Sequence, residues 1–138
     1  MSAFVLDCSV AISWFEEKSV EGDEMKRLRE QVRSRGAVVP ALWHLEFSNA
    51  LAMAERRGKI TAEELGSIVQ IAKKWPITTE TDYDRAFNEV LNLARKEFLT
   101  TYDAAYLELA MRREIPLATL DKKLAEAAAN NGVVVLPN

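Results

Sequence analysis

Apolar residues along this chain come in two alternating kinds of block. Ala3–Leu6, Ala37–Val39, Pro116–Thr119 and Val133–Leu136 are short apolar stretches closed by polar or turn residues. They are too short for helices and lack helical spacing, so each predicts a buried strand. Pro76–Thr79 predicts a further short strand or extended link. Between these stretches the apolar spacing changes to three and four residues. Val10–Phe15 predicts a short apolar helix and Glu16–Gly22 a polar turn. Asp23–Arg35 predicts a charged helix with a narrow stripe of Met25, Leu28 and Val32, and Gly36 suits its C-terminal cap. Ala41–Arg57 carries the strongest helical pattern and is closed by Gly58. Thr61 opens the next helix, with Glu64 in capping-box spacing, and it runs to Trp75 with Leu65, Ile68, Val69 and Ala72 on one stripe. These two helices form a hairpin. Asp82–Phe98 predicts one helix with Ala86, Val90, Leu93 and Ala94 at core spacing. Tyr102–Arg113 and Asp121–Asn131 predict the last two helices, the second capped by Gly132.

Strands alternating with helices in this way argue for an α/β fold, a short parallel sheet with helices on both sides. No repeat, low-complexity tract or linker divides the chain, so residues 1–138 are expected to form one domain.

In an open parallel sheet, ligands bind at the carboxyl ends of the strands. The first strand ends in Asp7, and Ser9 stands where the following helix needs its N-cap. Asp121 follows the Pro116–Thr119 strand in the same way, so two strands bring acids to one sheet edge. Glu46 has Trp43, Ala50 and Met53 as its helical neighbours and so lies on an apolar face. There a carboxylate needs a cation or hydrogen bonds, unless its stem packs while its head reaches water. Asp103 lies in the first turn of its helix, where acids favour the helix dipole, but it shares a face with Tyr106, Leu107 and Ala110. Capping and dipole effects explain each acid singly. They do not explain four acids at strand ends, a helix start and an apolar helix face. Such a cluster is stable only with a bound cation or with some carboxyls protonated. Oxygen ligands suit Mg²⁺ or Mn²⁺.

Composition narrows the chemistry. Hydrophobic content of 49% and charged content of 28% are ordinary for a globular protein. With one histidine and one cysteine, an ordinary structural zinc site is excluded. His44 stands mid-helix, where packing explains it better than nucleophilic catalysis does. Cys8 follows a core strand and has no partner for a disulfide, which suits a reducing cytoplasm. No apolar run approaches the ~20 residues of a membrane span, and no basic region precedes the first apolar stretch, so neither membrane nor export is expected. The net charge of −3 argues against coating nucleic acid by bulk electrostatics. If four acids surround a metal, however, the remaining charges are near balance, and a nucleic-acid substrate stays open. The basic pairs Arg56-Arg57, Lys73-Lys74 and Arg112-Arg113 read as solvated helix ends, whereas Lys122-Lys123 adjoins Asp121 and is placed to meet phosphates. Trp14, Phe15 and Trp75 read as core, with any surplus at the surface available to a dimer or partner groove.

Leu6-Asp7-Cys8-Ser9, Glu46-Phe47-Ser48-Asn49-Ala50-Leu51, Thr101-Tyr102-Asp103-Ala104-Ala105-Tyr106 and Leu117-Ala118-Thr119-Leu120-Asp121 occur in that order. Their order and spacing resemble the PIN domain, and the size resembles VapC-type toxins of toxin–antitoxin pairs. Each motif is weak alone; together they cover essentially the whole chain. The resemblance implies a three-layer α/β/α fold and a Mg²⁺-dependent endoribonuclease, with Mn²⁺ as a possible substitute. It implies Asp7, Glu46, Asp103 and Asp121 as the acidic quartet that holds metal and is catalytic. Ser9 and Thr119 match hydroxyl positions beside it, and Asn49 and Thr101 look like supporting positions. It further implies an RNA phosphodiester cut by metal-activated water to leave a 5′-phosphate and a 3′-hydroxyl. A homodimer and a VapB-like antitoxin that obstructs the site complete the expectation.

Two other readings compete. One is a PIN-like module that binds RNA or protein without catalysis, against which the intact quartet counts. The other is a phosphoryl-transfer enzyme with Asp7 as nucleophile, which ordinarily wants a second acid where this chain has Ser9.

Overall fold

In a computed structural model, the structure describes residues 3–16 and 22–138. Most of the expected turn at Glu16–Gly22 therefore lies outside the described residues. Phe4, Val5 and Leu6 are each 0% exposed. Successive strand side chains point to opposite faces, so both faces of this first strand, β1 (Val5–Leu6), are covered. β2 (Ala37–Pro40) and β4 (Leu117–Ala118) flank it and are equally buried, whereas β3 (Ile77–Glu80) and β5 (Val135–Leu136) form the half-exposed edges. All pairings are parallel, in the order β3-β2-β1-β4-β5. The expected parallel α/β architecture is the one observed. Val133–Leu136 is the exception in burial: only its last two strand residues pair, and Val134 is exposed, because an edge strand has one neighbour.

Helices fill the intervals. α1 (Cys8–Ser13) packs on α3 (Leu42–Arg56), which leads into α4 (Ala62–Lys73) as the expected hairpin. The Thr61–Glu64 capping box is formed in both directions. α2 (Asp23–Arg35) buries Leu28 and Val32 and ends at Gly36, whose φ is +83°. A Cβ there would stand 1.7 Å from the Pro76 carbonyl oxygen, so the turn into β2 admits only glycine. α6 (Thr101–Arg113) lies against β1, β2 and β4, with α7 (Lys122–Asn130) beside it. Trp14, Phe15, Trp43, Phe47 and Trp75 form one aromatic cluster joining α1, α3 and the end of α4. Within it Trp14 and Trp75 meet edge-on at 5.8 Å, and Trp43 and Phe47 stack at 5.3 Å.

One expected helix is divided. Asp82–Phe98 forms a 3-10 turn at Tyr83–Phe87 and then α5 (Glu89–Glu97), broken at Asn88 with φ −116° and ψ −96°. Asp82 caps Asp84 N–H, and the Asn88 amide donates to the Asp84 carbonyl, so local polar bonds compete with the helix. Ala86 is consequently exposed rather than in the core, while Val90, Leu93 and Ala94 are buried as expected. Among the described residues, no helix is long and apolar enough to cross a membrane.

Candidate functional site

The strand order reverses beside β1: the chain steps from β1 to β2 and β3 on one side, then to β4 and β5 on the other. Ligands of open parallel sheets bind at such a reversal, beyond the carboxyl ends of the strands. Asp7 stands there. Its backbone N–H donates to the Ala118 carbonyl at 2.9 Å, continuing the ladder that pairs Leu6 with Ala118. The register thus sets Asp7 beside Thr119, and the Thr119 hydroxyl donates to Asp7 Oδ2 at 2.7 Å. The Ser9 hydroxyl donates to the same oxygen at 2.7 Å and accepts the Leu120 N–H at 2.9 Å. Ser9 is therefore not the N-cap of α1. The helix starts at Cys8, Asp7 occupies the cap position without a side-chain cap bond, and the serine hydroxyl ties β1 to the loop after β4.

Three other elements bring the remaining acids. Asp121 caps α7, its Oδ1 accepting the Leu124 N–H at 3.0 Å, and its own N–H donates to Thr119 Oγ1. Asp103 lies in the first turn of α6, positioned by Thr100, whose hydroxyl accepts the Asp103 N–H at 3.1 Å. Tyr106, Leu107 and Ala110 on that helix are fully buried, as the shared face predicts. Glu46 is half-buried on α3, and its Oε1 accepts the Tyr106 hydroxyl at 2.5 Å.

The electrostatics join the four acids. Burial pushes the Asp7 carboxyl up, the two hydroxyls and the Cys8 N–H pull it down, and the charge of Asp121 raises it again. Burial likewise raises Glu46, opposed by the Tyr106 hydrogen bond and reinforced by the charges of Asp7 and Asp103. Asp103 is raised by burial, then by Asp121 and Asp7, with Lys123 acting the other way. Asp7, Glu46 and Asp103 thus each feel at least one other acid of the four, which is repulsion between like charges. Beside them, burial and the charges of Glu46 and Asp7 push the Cys8 thiol up to about 12, so it is protonated in the metal-free protein. The donors that remain are oxygens, which fit a hard divalent cation. Among the described residues no group of three or more His, Cys, Asp or Glu is arranged closely enough to hold a metal ion as it stands. The fit is one of donor type and charge, not of preset geometry.

The other expected positions separate. Ser9 and Thr119 are bonded into the Asp7 carboxylate; Asn49 and Thr101 are exposed and make no hydrogen bond to the four acids. Sequence reasoning missed Thr100, the hydroxyl that caps α6, and the Tyr106–Glu46 bond. The first had a signal in the Thr100-to-Asp103 spacing; the second joins residues 60 positions apart and had none. His44 is exposed and its Nε2 bonds Thr79 Oγ1 at 2.9 Å, in keeping with a surface role. Arg112 is not a solvated helix end: its Nη1 lies 2.9 Å from Glu80 and its Nε 3.0 Å from Glu108, which also receives Arg85. A groove of about 600 Å³ runs between the end of α1 and the hairpin, lined by Ile12, Phe15, Met53 and Ile60 together with Glu16, Arg57 and Lys59, and none of the four acids lines it.

The PIN domain family profile matches residues 4–130. A crystal structure of PAE2754 from Pyrobaculum aerophilum is similar in fold, with a TM-score of 0.71 and 20% sequence identity over 97% of this chain and 83% of that one. No curated protein sequence matches the chain. The family match spans nearly the whole sequence and includes all four acids, and the chain belongs to the PIN domain family, whose members are generally metal-dependent nucleases.

Proposed function

We propose that this protein is a Mg²⁺-dependent endoribonuclease acting as the toxin of a type II toxin–antitoxin pair. The observation that carries the nuclease reading is the placement of Asp7 and Asp121 just beyond β1 and β4, where the strand order reverses, with burial and neighbouring acids raising Asp7, Glu46 and Asp103. These four carboxylates would hold the metal. When bound, a divalent cation lowers the pKa of water and offsets charge on the leaving oxygen. The chain supplies the rest. Ser9 and Thr119 fix the Asp7 carboxylate by two hydrogen bonds to one oxygen. Asp121 is fixed by its bond to Leu124 N–H. Lys123 acts electrostatically on Asp103 and so lies near enough to the cluster to meet an RNA phosphate. The largely apolar groove, whose charged lining residues are Glu16, Arg57 and Lys59, suits an antitoxin segment carrying apolar side chains. A homodimer and a cytoplasmic setting belong to the same proposal.

The test compares purified wild type with Asp7→Asn on a panel of structured RNAs, with Mg²⁺ or excess EDTA. Cleavage by wild type should be lost with EDTA and fall at least about a thousandfold in the variant, roughly 4 kcal/mol of barrier. Equal cleavage by both proteins would sink the assignment. No cleavage together with no Mg²⁺ or Mn²⁺ binding by calorimetry would favour a binding module without catalysis.

A further inference from the structure

Tyr106 is 0% exposed, and its neighbours on α6, Leu107 and Ala110, are equally buried. A phenol carried into such a place must find an acceptor for its O–H, or it is a costlier residue than phenylalanine. The acceptor is Glu46 Oε1, at 2.5 Å, on a different helix. No ion pair of Glu46 with an arginine or lysine occurs among the described residues, so the tyrosine is the group that holds this carboxylate. The bond engages Oε1 and leaves Oε2 without a protein hydrogen bond among the described residues. Tyr106 also stands one helical turn after Asp103, so α6 presents one acid at the cluster directly and reaches beneath it to a second. The charges of Glu46 and Asp7 both act on the phenol, in keeping with its bond to Glu46.

We infer that Tyr106 is a positioning residue of the acid cluster, its buried hydroxyl orienting the Glu46 carboxylate toward a divalent cation. This rests on reading the four acids as a cation site. Partners of this kind, one step removed from the metal, typically change its affinity by about 10- to 100-fold when lost. The hydroxyl acts through Glu46 alone, so its effect should disappear once Glu46 is replaced.

Mn²⁺ is titrated by calorimetry, without RNA, into wild type, Tyr106→Phe, Tyr102→Phe, Glu46→Gln and the Glu46→Gln/Tyr106→Phe double variant. Tyr102 is an exposed phenol on the same helix and serves as the control. Tyr106→Phe should bind Mn²⁺ about tenfold more weakly, Tyr102→Phe like wild type, and the double variant no more weakly than Glu46→Gln. Unchanged affinity in Tyr106→Phe overturns the inference, as does a full tenfold loss added to Glu46→Gln. Absence of Mn²⁺ binding by wild type itself fells the cation-site reading and the inference with it, a different result from wild-type binding that ignores Tyr106. Should Tyr106→Phe not fold, substoichiometric Mn²⁺ should still broaden the Tyr106 ring resonances of wild type in NMR spectra. Unbroadened resonances at a Mn²⁺ level that calorimetry shows to be bound would overturn the assignment.

Discussion

Asp7 and Glu108 are equally buried, each 7% exposed, and their surroundings are opposite. Glu108 faces two guanidinium groups, Arg85 at 3.1 Å and Arg112 at 3.0 Å, and Arg112 continues to Glu80 at 2.9 Å. Asp7 receives only hydroxyl and backbone donors, and the charge that acts on it is that of Asp121. The same difference shows in protonation. The Arg112 hydrogen bond brings Glu80 down to about 2, whereas Asp7, Glu46 and Asp103 are all raised, first by burial and also by neighbouring acids. The fold thus supplies its own cations to one set of acids, which tie β3, the 3-10 turn and α6 together. The other set, at the sheet reversal, makes no ion pair among the described residues, and Lys123 acts on Asp103 without pairing with it. Stability alone accounts for the first arrangement and is opposed by the second, which is the pattern expected where an external cation supplies the missing charge.

The largest effect that sharpens this contrast comes from removing one acid of each set. Glu108→Gln should cost about 3 kcal/mol in urea unfolding, because it leaves two partly buried guanidinium groups short of a partner. Asp7→Asn, whose amide oxygen still accepts both hydroxyls, should leave the metal-free protein as stable as wild type or more so. Equal losses in the two variants would break the comparison. A slightly smaller effect should follow from adding the absent charge. Mn²⁺ at a hundredfold excess over its Kd should stabilise wild type and Glu108→Gln alike by about 2.7 kcal/mol and leave Asp7→Asn nearly unchanged.

The smallest effect is in pH dependence. The folded-state value of Glu80 is depressed from 4.5 to about 2, so its contribution is present above 4.5 and lost as the pH falls toward 2. For the raised acids the sign is reversed: charging them costs stability, and the cost is absent below their ordinary values of 3.8 and 4.5 and grows as the pH rises through the raised ones. Glu80→Gln should therefore lower stability by about 1 kcal/mol at pH 7, allowing for solvent screening, and by only a small part of that at pH 2, where Glu80 is half protonated. Denaturant titrations at the two pH values check this; an undiminished difference at pH 2 would refute the ion-pair account.

Much of this contrast was readable from the chain. Apolar runs at Ala3–Leu6 and Ala37–Val39 mark the central strands because burial on both faces demands continuous apolar character. Asp23–Arg35, with Gly36 after it, and the Thr61–Glu64 box mark helix ends because caps act within a few residues. Asp7 and Asp121 follow from where their strands stop. The break at Asn88 was hidden, because core spacing continues through Ala86 while the competing hydrogen bonds depend on local geometry. Arg112 was misread because nothing in Arg112-Arg113 announces Glu80, 32 positions away.

Local patterning by itself determined the elements, their order and the acids that end them, since those are settled by interactions reaching only a few residues along the chain. Only the tertiary structure decided which charges meet. Parallel pairing of β1 with β4 sets Asp7 against Thr119, packing of α6 brings Tyr106 to Glu46, and the turn after β3 carries Glu80 to Arg112. Whether a buried acid is neutralised by the protein or left for a cation depends on those distances, and electrostatic and hydrogen-bond partners are chosen by proximity in space.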